Sequence, residues 1–362
     1  MNKALDRNKV ILGLSGGVDS TTAALLLQEK GYQVTGLYFD ISPNNKQGRE
    51  EAEKAAVQAG IPFLYKNVHE LFSSTVIENF CTEYVKGRTP NPCVYCNPTV
   101  KFRVLTEAAD REGAFYIATG HYARTLHREG EGWMIRMAAN EKKDQSYMLY
   151  RLSQSVIQRL LLPLSDLEDK EEAREIARRK QMFNADKKDS QEICFIEDGN
   201  YAGFIADRGY ACKMGSFVDK EGNVLGEHKG LIHYTIGQRK GLGITFGKPV
   251  YVTAMDPETG NVTLGDHEDL FSKEVVCANA FFPASNSGRM PDFLEGERVY
   301  AKIRYAAKPA PAHISSMEDG RIKAVFEEKQ RAATPGQSIV FYREGCIAGG
   351  GLIEQTACKI RT

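Results

Sequence analysis

The sequence predicts an α/β protein whose first half is a doubly wound parallel sheet and whose last part is a small all-β unit. Three observations carry this. Strand and helix signals alternate from Val10 to Thr119, the run Gly13-Leu14-Ser15-Gly16-Gly17-Val18-Asp19-Ser20 joins a strand directly to a helix, and from about Tyr210 glycines become frequent while helical periodicity fades. Repeated strand–helix units imply parallel strands with helices on both faces.

The elements follow in order. Val10–Leu14 reads as a strand, Thr21–Lys30 as a helix stopped by Gly31, Gln33–Phe39 as a strand, and Glu50–Ala59 as a helix ended by Gly60. Ile61–Val68 is a third strand, Leu71–Lys86 and Lys101–Arg111 are helices, and Phe115–Thr119 is a fourth strand. A helical stretch runs from Gln145 to about Lys180. Val250–Ala254 and Asn261–Gly265 flank the turn signal Pro257-Glu258-Thr259-Gly260 and form a hairpin, and Arg298–Tyr305, Arg321–Phe326 and Ser338–Tyr342 read as strands. Domain boundaries fall near 207 and 272.

Composition narrows the class. With 362 residues, 42% hydrophobic and 26% charged, the chain is globular and large enough for two or three domains. No apolar run spans a bilayer and the first residues lack a secretory stretch, so a cytoplasmic protein without a membrane partner is expected. The formal net charge is zero, so a polyanionic partner would have to be met by local clusters. Arg178-Arg179-Lys180 with Lys187-Lys188 is one, and Arg298, Lys302, Arg304 and Lys308 interleaved with Tyr300 and Tyr305 is another. A solvated helix face or strand edge explains either equally well.

The run at residues 13–20 carries chemistry. Small residues let the backbone turn tightly, and the helix that follows aims unpaired N–H groups and its positive dipole end at an anion. Ser15 and Ser20 add hydroxyls, and Asp19 stands where a divalent cation on a phosphate needs an acid. No lysine follows the glycines, which excludes a Walker loop, and the Gly-x-Gly-x-x-Gly spacing of a dinucleotide fold is absent. An ordinary capped turn would not need two glycines, two serines and an acid at one junction.

The cysteines supply the second feature. Eight scattered cysteines are too few for a disulfide framework. Cys93 and Cys96 lie among three prolines and two asparagines, which predicts a constrained loop before a helix opening near Lys101. A helix start and Lys101 predict a depressed thiol pKa for Cys96, and Cys194 follows Lys187-Lys188 in a similarly electropositive stretch. Cys93-x-x-Cys96 is also half of a zinc motif, but no second pair or histidine spacing completes it. Cys81, Cys212, Cys277, Cys346 and Cys358 read as small hydrophobes.

Ser15-Gly16-Gly17-Val18-Asp19-Ser20 resembles the PP-loop of ATP pyrophosphatases. Together with Gly87-Arg88-Thr89-Pro90-Asn91-Pro92, Cys96-Asn97, Lys101-Phe102, Ala118-Thr119-Gly120-His121-Tyr122, Lys143-Asp144-Gln145-Ser146-Tyr147, Ile193-Cys194-Phe195-Ile196 and His233 to Gly243, it makes the chain resemble the bacterial tRNA-uridine 2-sulfurtransferases, or 2-thiouridylases, over almost its whole length. The resemblance implies a PP-loop, adenine nucleotide alpha hydrolase-like domain (1–207) that binds ATP and carries catalysis, a small central domain (208–272) and a C-terminal β-barrel that contacts tRNA (273–362). It implies Cys96 as nucleophile, Cys194 as persulfide carrier, and a Cys96–Cys194 disulfide on one of two routes. Gly13, Leu14, Ser15, Gly16, Gly17, Val18, Asp19, Ser20, Phe39 and Gly120 fall at ATP-contacting positions. Lys143, Asp144, Gln145, Arg304 and Tyr305 fall where the family touches tRNA, and Asn91, Pro92 and Cys93 where it faces the target base. The family usually has Asp at the position of Cys93.

The implied reaction uses ATP and Mg²⁺ to adenylate the C2 oxygen of the anticodon wobble uridine, with Asp19 near the metal. Sulfur from a persulfide-carrying donor protein then replaces that oxygen, giving 2-thiouridine, AMP and pyrophosphate. Either Cys194 transfers the terminal sulfur directly, or Cys96 attacks the persulfide and liberates sulfide. Two further readings are an amidating synthetase or different tRNA sulfurtransferase of the PP-loop class, and a catalytically silent RNA-binding protein.

Overall fold

The computed structural model describes residues 4–43, 45–187, 193–196, 198–210, 213–244 and 247–354. Lys188, Cys212 and Cys358 lie outside them. The chain forms two compact units, the first made of Met1–Thr75, Cys93–Phe195 and Glu344–Ala348, the second of Val76–Pro92, Ile196–Arg343 and Gly349–Thr362.

The first unit is an α/β layer structure. Its strands are β1 (Asp6–Gly13), β2 (Gln33–Asp40), β3 (Phe63–Asn67), β4 (Ala114–Ala118), a hairpin of β5 (Arg124–Arg128) and β6 (Gly132–Arg136), and the short β7 (Leu160–Leu161). The main sheet has the order β3-β2-β1-β4-β7 and every pairing in it is parallel. Chain order therefore reverses direction at β1, with β2 and β3 on one side and β4 and β7 on the other. In open sheets the crevice beyond the carboxyl ends at such a reversal is where ligands bind.

Helix α1 (Val18–Glu29) leaves β1 at that point, and α2 (Lys46–Ala59) follows β2. Apolar residues surround α1 rather than forming one stripe. It is accordingly buried on most sides, with Ala23, Ala24, Leu25 and Leu27 packed among Leu12, Val34, Ala118 and Ala173. The Thr22 hydroxyl donates to the Ala173 carbonyl at 2.9 Å, locking α1 to the helix Lys170–Arg179.

Two sequence expectations are corrected here. The stretch from Gln145 to Lys180 is not one helix: a 3₁₀ turn (Ser146–Leu149), a short helix (Gln154–Ile157), β7 and a second 3₁₀ turn (Pro163–Asp166) precede the helix Lys170–Arg179. Apolar residues at Leu160, Leu162 and Leu164 serve sheet and core, and Pro163 cannot continue a helix. The segment around Cys93 is not a loop either. Pro92–Cys96 is a helical turn that passes through a π turn (Asn97–Lys101) into the helix Phe102–Glu112. Proline at a first helical position costs no hydrogen bond, which is why Pro92 opens the turn.

The second unit holds two sheets. In the smaller, β8 (Gly215–Val218), β9 (Val224–His228), β10 (Tyr251–Met255) and β11 (Val262–Gly265) take the order β10-β11-β8-β9, with the β10–β11 hairpin at the expected place. Phe217, Val252, Val262 and Tyr234 form its core. The larger is a closed antiparallel barrel of β12 (Phe271–Phe281), β13 (Arg298–Lys302), β14 (Ala310–Ser316), β15 (Ile322–Arg331), β16 (Ser338–Arg343) and β17 (Cys346–Ile353). Its order is β12-β15-β14-β13-β16-β17, and closure comes from Cys277 opposite Ile353 and Ala278 opposite Leu352. Phe282, Phe326 and Phe341 fill it, each side chain contributing about 1.5–3 kcal/mol of burial. A Cβ at Gly349 would collide with Phe282, so glycine is required there. Among the described residues no helix is long and apolar enough to cross a membrane.

Candidate active site

The loop after β1 lies at the direction change of the first unit's sheet. Gly16 holds φ +77°, and a Cβ on it would sit 2.9 Å from the Ala52 backbone nitrogen, so only glycine fits. Ser20 is buried and its hydroxyl serves the loop itself, donating to the Gly17 carbonyl at 3.1 Å and accepting from the Ser15 N–H at 3.2 Å. Gly17 is the N-cap of α1 and no side chain caps the helix. The first-turn N–H groups therefore keep the partial positive charge that suits a phosphate.

The other positions matched to nucleotide contact gather here. Gly120, just beyond β4, approaches the α1 backbone so closely that a Cβ would meet Asp19 C and Ser20 N at 2.9 Å. Phe39, near the end of β2, places its ring 3.5 Å from where a Cβ of Gly13 would be. Gly13 to Ser20, Phe39 and Gly120 thus come together across three adjacent strand ends.

Both oxygens of the Asp19 carboxylate are engaged. Tyr122 donates its hydroxyl to Oδ1 at 2.9 Å, and the Lys170 ammonium lies 2.9 Å from Oδ2. Asn184, fully buried, donates its side-chain amide to the Gly16 carbonyl and to the Thr21 hydroxyl, each at 2.8 Å. Nothing local in the sequence signals these roles for Tyr122, Lys170 or Asn184, because their partners lie far away in the chain. Among the described residues no group of three or more His, Cys, Asp or Glu side chains is arranged to hold a metal ion. A cation beside Asp19 would draw most of its ligands from phosphate and water, which is how Mg²⁺ is usually bound. The uncapped helix, the glycine cradle and one acid fit a metal–nucleotide complex on those terms.

The thiols form the other half of the first unit's site. Cys93 is exposed and Cys96 half-buried on successive positions of one helical face, and Cys194 is exposed. The three interact electrostatically, Cys93 and Cys96 each raising the Cys194 pKa. The expectation of depressed thiols is corrected. Burial pushes the Cys96 thiol up, outweighing the opposing pull of the Lys101 ammonium and backbone N–H. The bulk of protein around Cys194 pushes its thiol up to about 12 although the residue reaches solvent. Beside Cys194, the Phe195 ring packs edge-on against Phe72, centroids 5.5 Å apart.

Lys101 is itself held. Its ammonium lies 3.5 Å from Nε2 of His121, whose Nδ1 is 2.7 Å from the Thr119 hydroxyl and whose ring stacks on Phe102. Burial and the Lys101 charge keep the His121 pKa well below the usual histidine range, so the ring is neutral. Iodoacetamide labelling of Cys96, followed by peptide mass spectrometry, is expected to accelerate about tenfold per pH unit from pH 7 to 8.5, because the reactive thiolate is the minor form throughout. Lys101→Met should slow it at every pH. A plateau below pH 8 would show that the lysine outweighs burial.

The remaining positions are placed as follows. Asn91 and Pro92, half-buried, belong to the second unit. Asp144 is buried, its carboxylate accepting from the Ala138 N–H at 3.0 Å and the Ser146 hydroxyl at 2.7 Å, while the Gln145 side chain accepts from the Tyr122 N–H at 3.0 Å. Lys143 is half-exposed. In the second unit, Arg304 donates to the Arg331 carbonyl at 3.0 Å and Tyr305 lies under the Lys302 ammonium, 5.7 Å from ring centroid to nitrogen. Cys81, Cys277 and Cys346 are buried with raised pKa values, as inert thiols are.

Comparison with known proteins adds to this geometry. Residues 8–198 match a family model described as tRNA methyl transferase HUP domain, 203–266 one described as tRNA methyl transferase PRC-barrel domain, and 288–353 one described as aminomethyltransferase beta-barrel domain. The chain is 45% identical over 364 residues to tRNA-specific 2-thiouridylase MnmA of Clostridium perfringens, covering 97% of this chain and 99% of that protein. It is 45% identical over 358 residues to tRNA-specific 2-thiouridylase MnmA 2 of Clostridium botulinum, with the same coverage. It is 43% identical over 361 residues to tRNA-specific 2-thiouridylase MnmA of Clostridioides difficile, covering 96% and 98%.

Proposed function

The chain belongs to the tRNA-specific 2-thiouridylase family, and from that premise we propose that it is an ATP-dependent tRNA-uridine 2-sulfurtransferase acting on the wobble uridine of the anticodon. The observation that carries the reading is the pair Gly120 and His121. Gly120 packs on the first turn of the nucleotide loop, while the next residue holds the lysine that favours the Cys96 thiolate. Activation of an oxygen and attack by sulfur are thereby served from adjacent residues of one segment. The methyl-transfer wording of two domain descriptions finds less support, because nothing in methyl transfer calls for three neighbouring thiols.

In this reading residues 1–207 bind ATP and perform catalysis, 208–272 form a small central domain, and the barrel at 273–362 contacts tRNA. The loop amides take the phosphates of ATP and steady the departing pyrophosphate. Asp19 would hold Mg²⁺, which neutralises phosphate charge when bound. The uridine C2 oxygen displaces pyrophosphate from the α-phosphorus, leaving C2 electrophilic. A donor protein loads Cys194 with a persulfide. Its terminal sulfur then adds to C2, and Cys96 attacks Cys194 Sγ to break the resulting sulfur–sulfur link and free the 2-thiouridine; or Cys96 attacks Cys194 Sγ first, releasing sulfide that adds to C2 instead. Both routes leave a Cys96–Cys194 disulfide, which a thiol reductant reopens for the next turnover. AMP leaves in either case, carrying the original oxygen. Asn91, Pro92 and Cys93 face the base. Lys143, Asp144, Gln145, Arg304 and Tyr305 line tRNA, Asp144 acting by shaping its turn rather than by a free carboxylate. The enzyme works in the cytoplasm, where ATP, tRNA and reduced thiols coexist.

Nucleoside mass spectrometry of tRNA from a deletion strain tests this. Loss of 2-thiouridine derivatives, restored by the intact chain, is expected, and an unchanged 2-thiouridine content would sink the proposal.

A further inference from the structure

We propose that Lys170 is a pyrophosphate-binding residue, supplying the fixed cation that the loop's own sequence lacks. The proposal rests on the reading of residues 13–20 as an ATP loop. That run contains no lysine or arginine. A loop of amides with a single acid has dipoles for an anion but no full positive charge.

The structure brings one from elsewhere in the first unit. Lys170 is the first residue of the helix Lys170–Arg179, capped by Asp169, whose carboxylate accepts from the Glu172 N–H at 2.9 Å. A cation at a helix N-terminus opposes the dipole, and Glu171 and Glu172 already satisfy the preference for acid there. A local preference broken in this way points to a role set by something outside the helix. The side chain is only 15% exposed and ends 2.9 Å from Asp19 Oδ2. Asp19 lies in the uncapped first turn of α1, so the ammonium stands within a side chain's length of N–H groups that favour phosphate. The bond from Thr22 to the Ala173 carbonyl fixes the two helices against each other, so this placement is built into the backbone.

The chemistry matches. An ammonium carries three donors and no acceptor, so one can hold Asp19 while another serves a phosphate oxygen. Negative charge grows on the pyrophosphate as it leaves, where a positioned cation is worth most. The ligand class is therefore a triphosphate or free pyrophosphate, and AMP, which lacks those phosphates, is outside it. The competing role is purely structural, with Lys170 only neutralising Asp19.

Calorimetric titration of the whole protein with magnesium ATP, magnesium pyrophosphate and, separately, AMP decides between them. Lys170→Gln is expected to weaken pyrophosphate binding at least about tenfold, the loss of one charge-assisted hydrogen bond, while AMP binding changes less than about twofold. Lys170→Arg, which keeps the charge, should recover part of the affinity and controls for folding. Undiminished pyrophosphate binding by Lys170→Gln overturns the role of Lys170 alone. Wild-type protein that binds neither ATP nor pyrophosphate overturns the nucleotide reading, and this proposal with it.

Discussion

Cys96→Ser and Cys194→Ser are each expected to lower 2-thiouridine formation by about a thousandfold or more, with tRNA binding changed less than about twofold. Serine is nearly isosteric with cysteine, so the half-buried turn at Cys96 and the exposed position at Cys194 keep their packing. What disappears is chemistry: an alkoxide is scarce at neutral pH, and oxygen cannot hold and pass on a terminal sulfur. Both wild-type thiols are themselves weakly ionised, since burial raises each pKa. The wild-type rate should thus climb with pH above 7 until another step limits it. The assay supplies a small-molecule persulfide and counts thiolated nucleosides, with filter binding for tRNA. Full thiolation by either variant removes that cysteine from the mechanism.

Asp19→Ala should reduce tRNA-dependent pyrophosphate release by about 10²–10³-fold, the range for removing one preorganised electrostatic group. Two donors, the Tyr122 hydroxyl and the Lys170 ammonium, lose their acceptor at once. Because the pair is mostly buried, removing the acid can cost about 3 kcal/mol of stability, so thermal unfolding is measured alongside, and the same loss of release in variant protein that is still folded assigns the effect to the site. Asp19→Asn separates geometry from charge, since an amide oxygen still accepts from Tyr122. Release near the wild-type rate in Asp19→Asn would show that the acid's charge is dispensable there.

The nucleotide loop was legible because its chemistry is local. Glycines, serines and an acid that act together are consecutive, and the strand before and helix after them are announced by ordinary apolar patterns. The parallel sheet followed from the same alternation. Lys170 and Asn184 were not legible, since nothing near either residue in the chain hints that it ends at Asp19 or Gly16. The β5–β6 hairpin is not among the elements expected from sequence, although Glu129-Gly130-Glu131-Gly132 separates two alternating runs. The thiol pKa values were misjudged for a related reason. Lys101 is visible five positions after Cys96, whereas the packing that outweighs it arises only from the fold.

The ring contact next to Cys194 has a consequence for how sulfur is supplied. Phe195 is pinned to Phe72, so the position proposed to carry the persulfide is tethered within the first unit on its C-terminal side. On the proposed mechanism, a carrier would dock on the enzyme and present its cargo to Cys194 beside that tether. Selectivity among carriers would then reside in the surface surrounding Cys194 rather than in the cysteine.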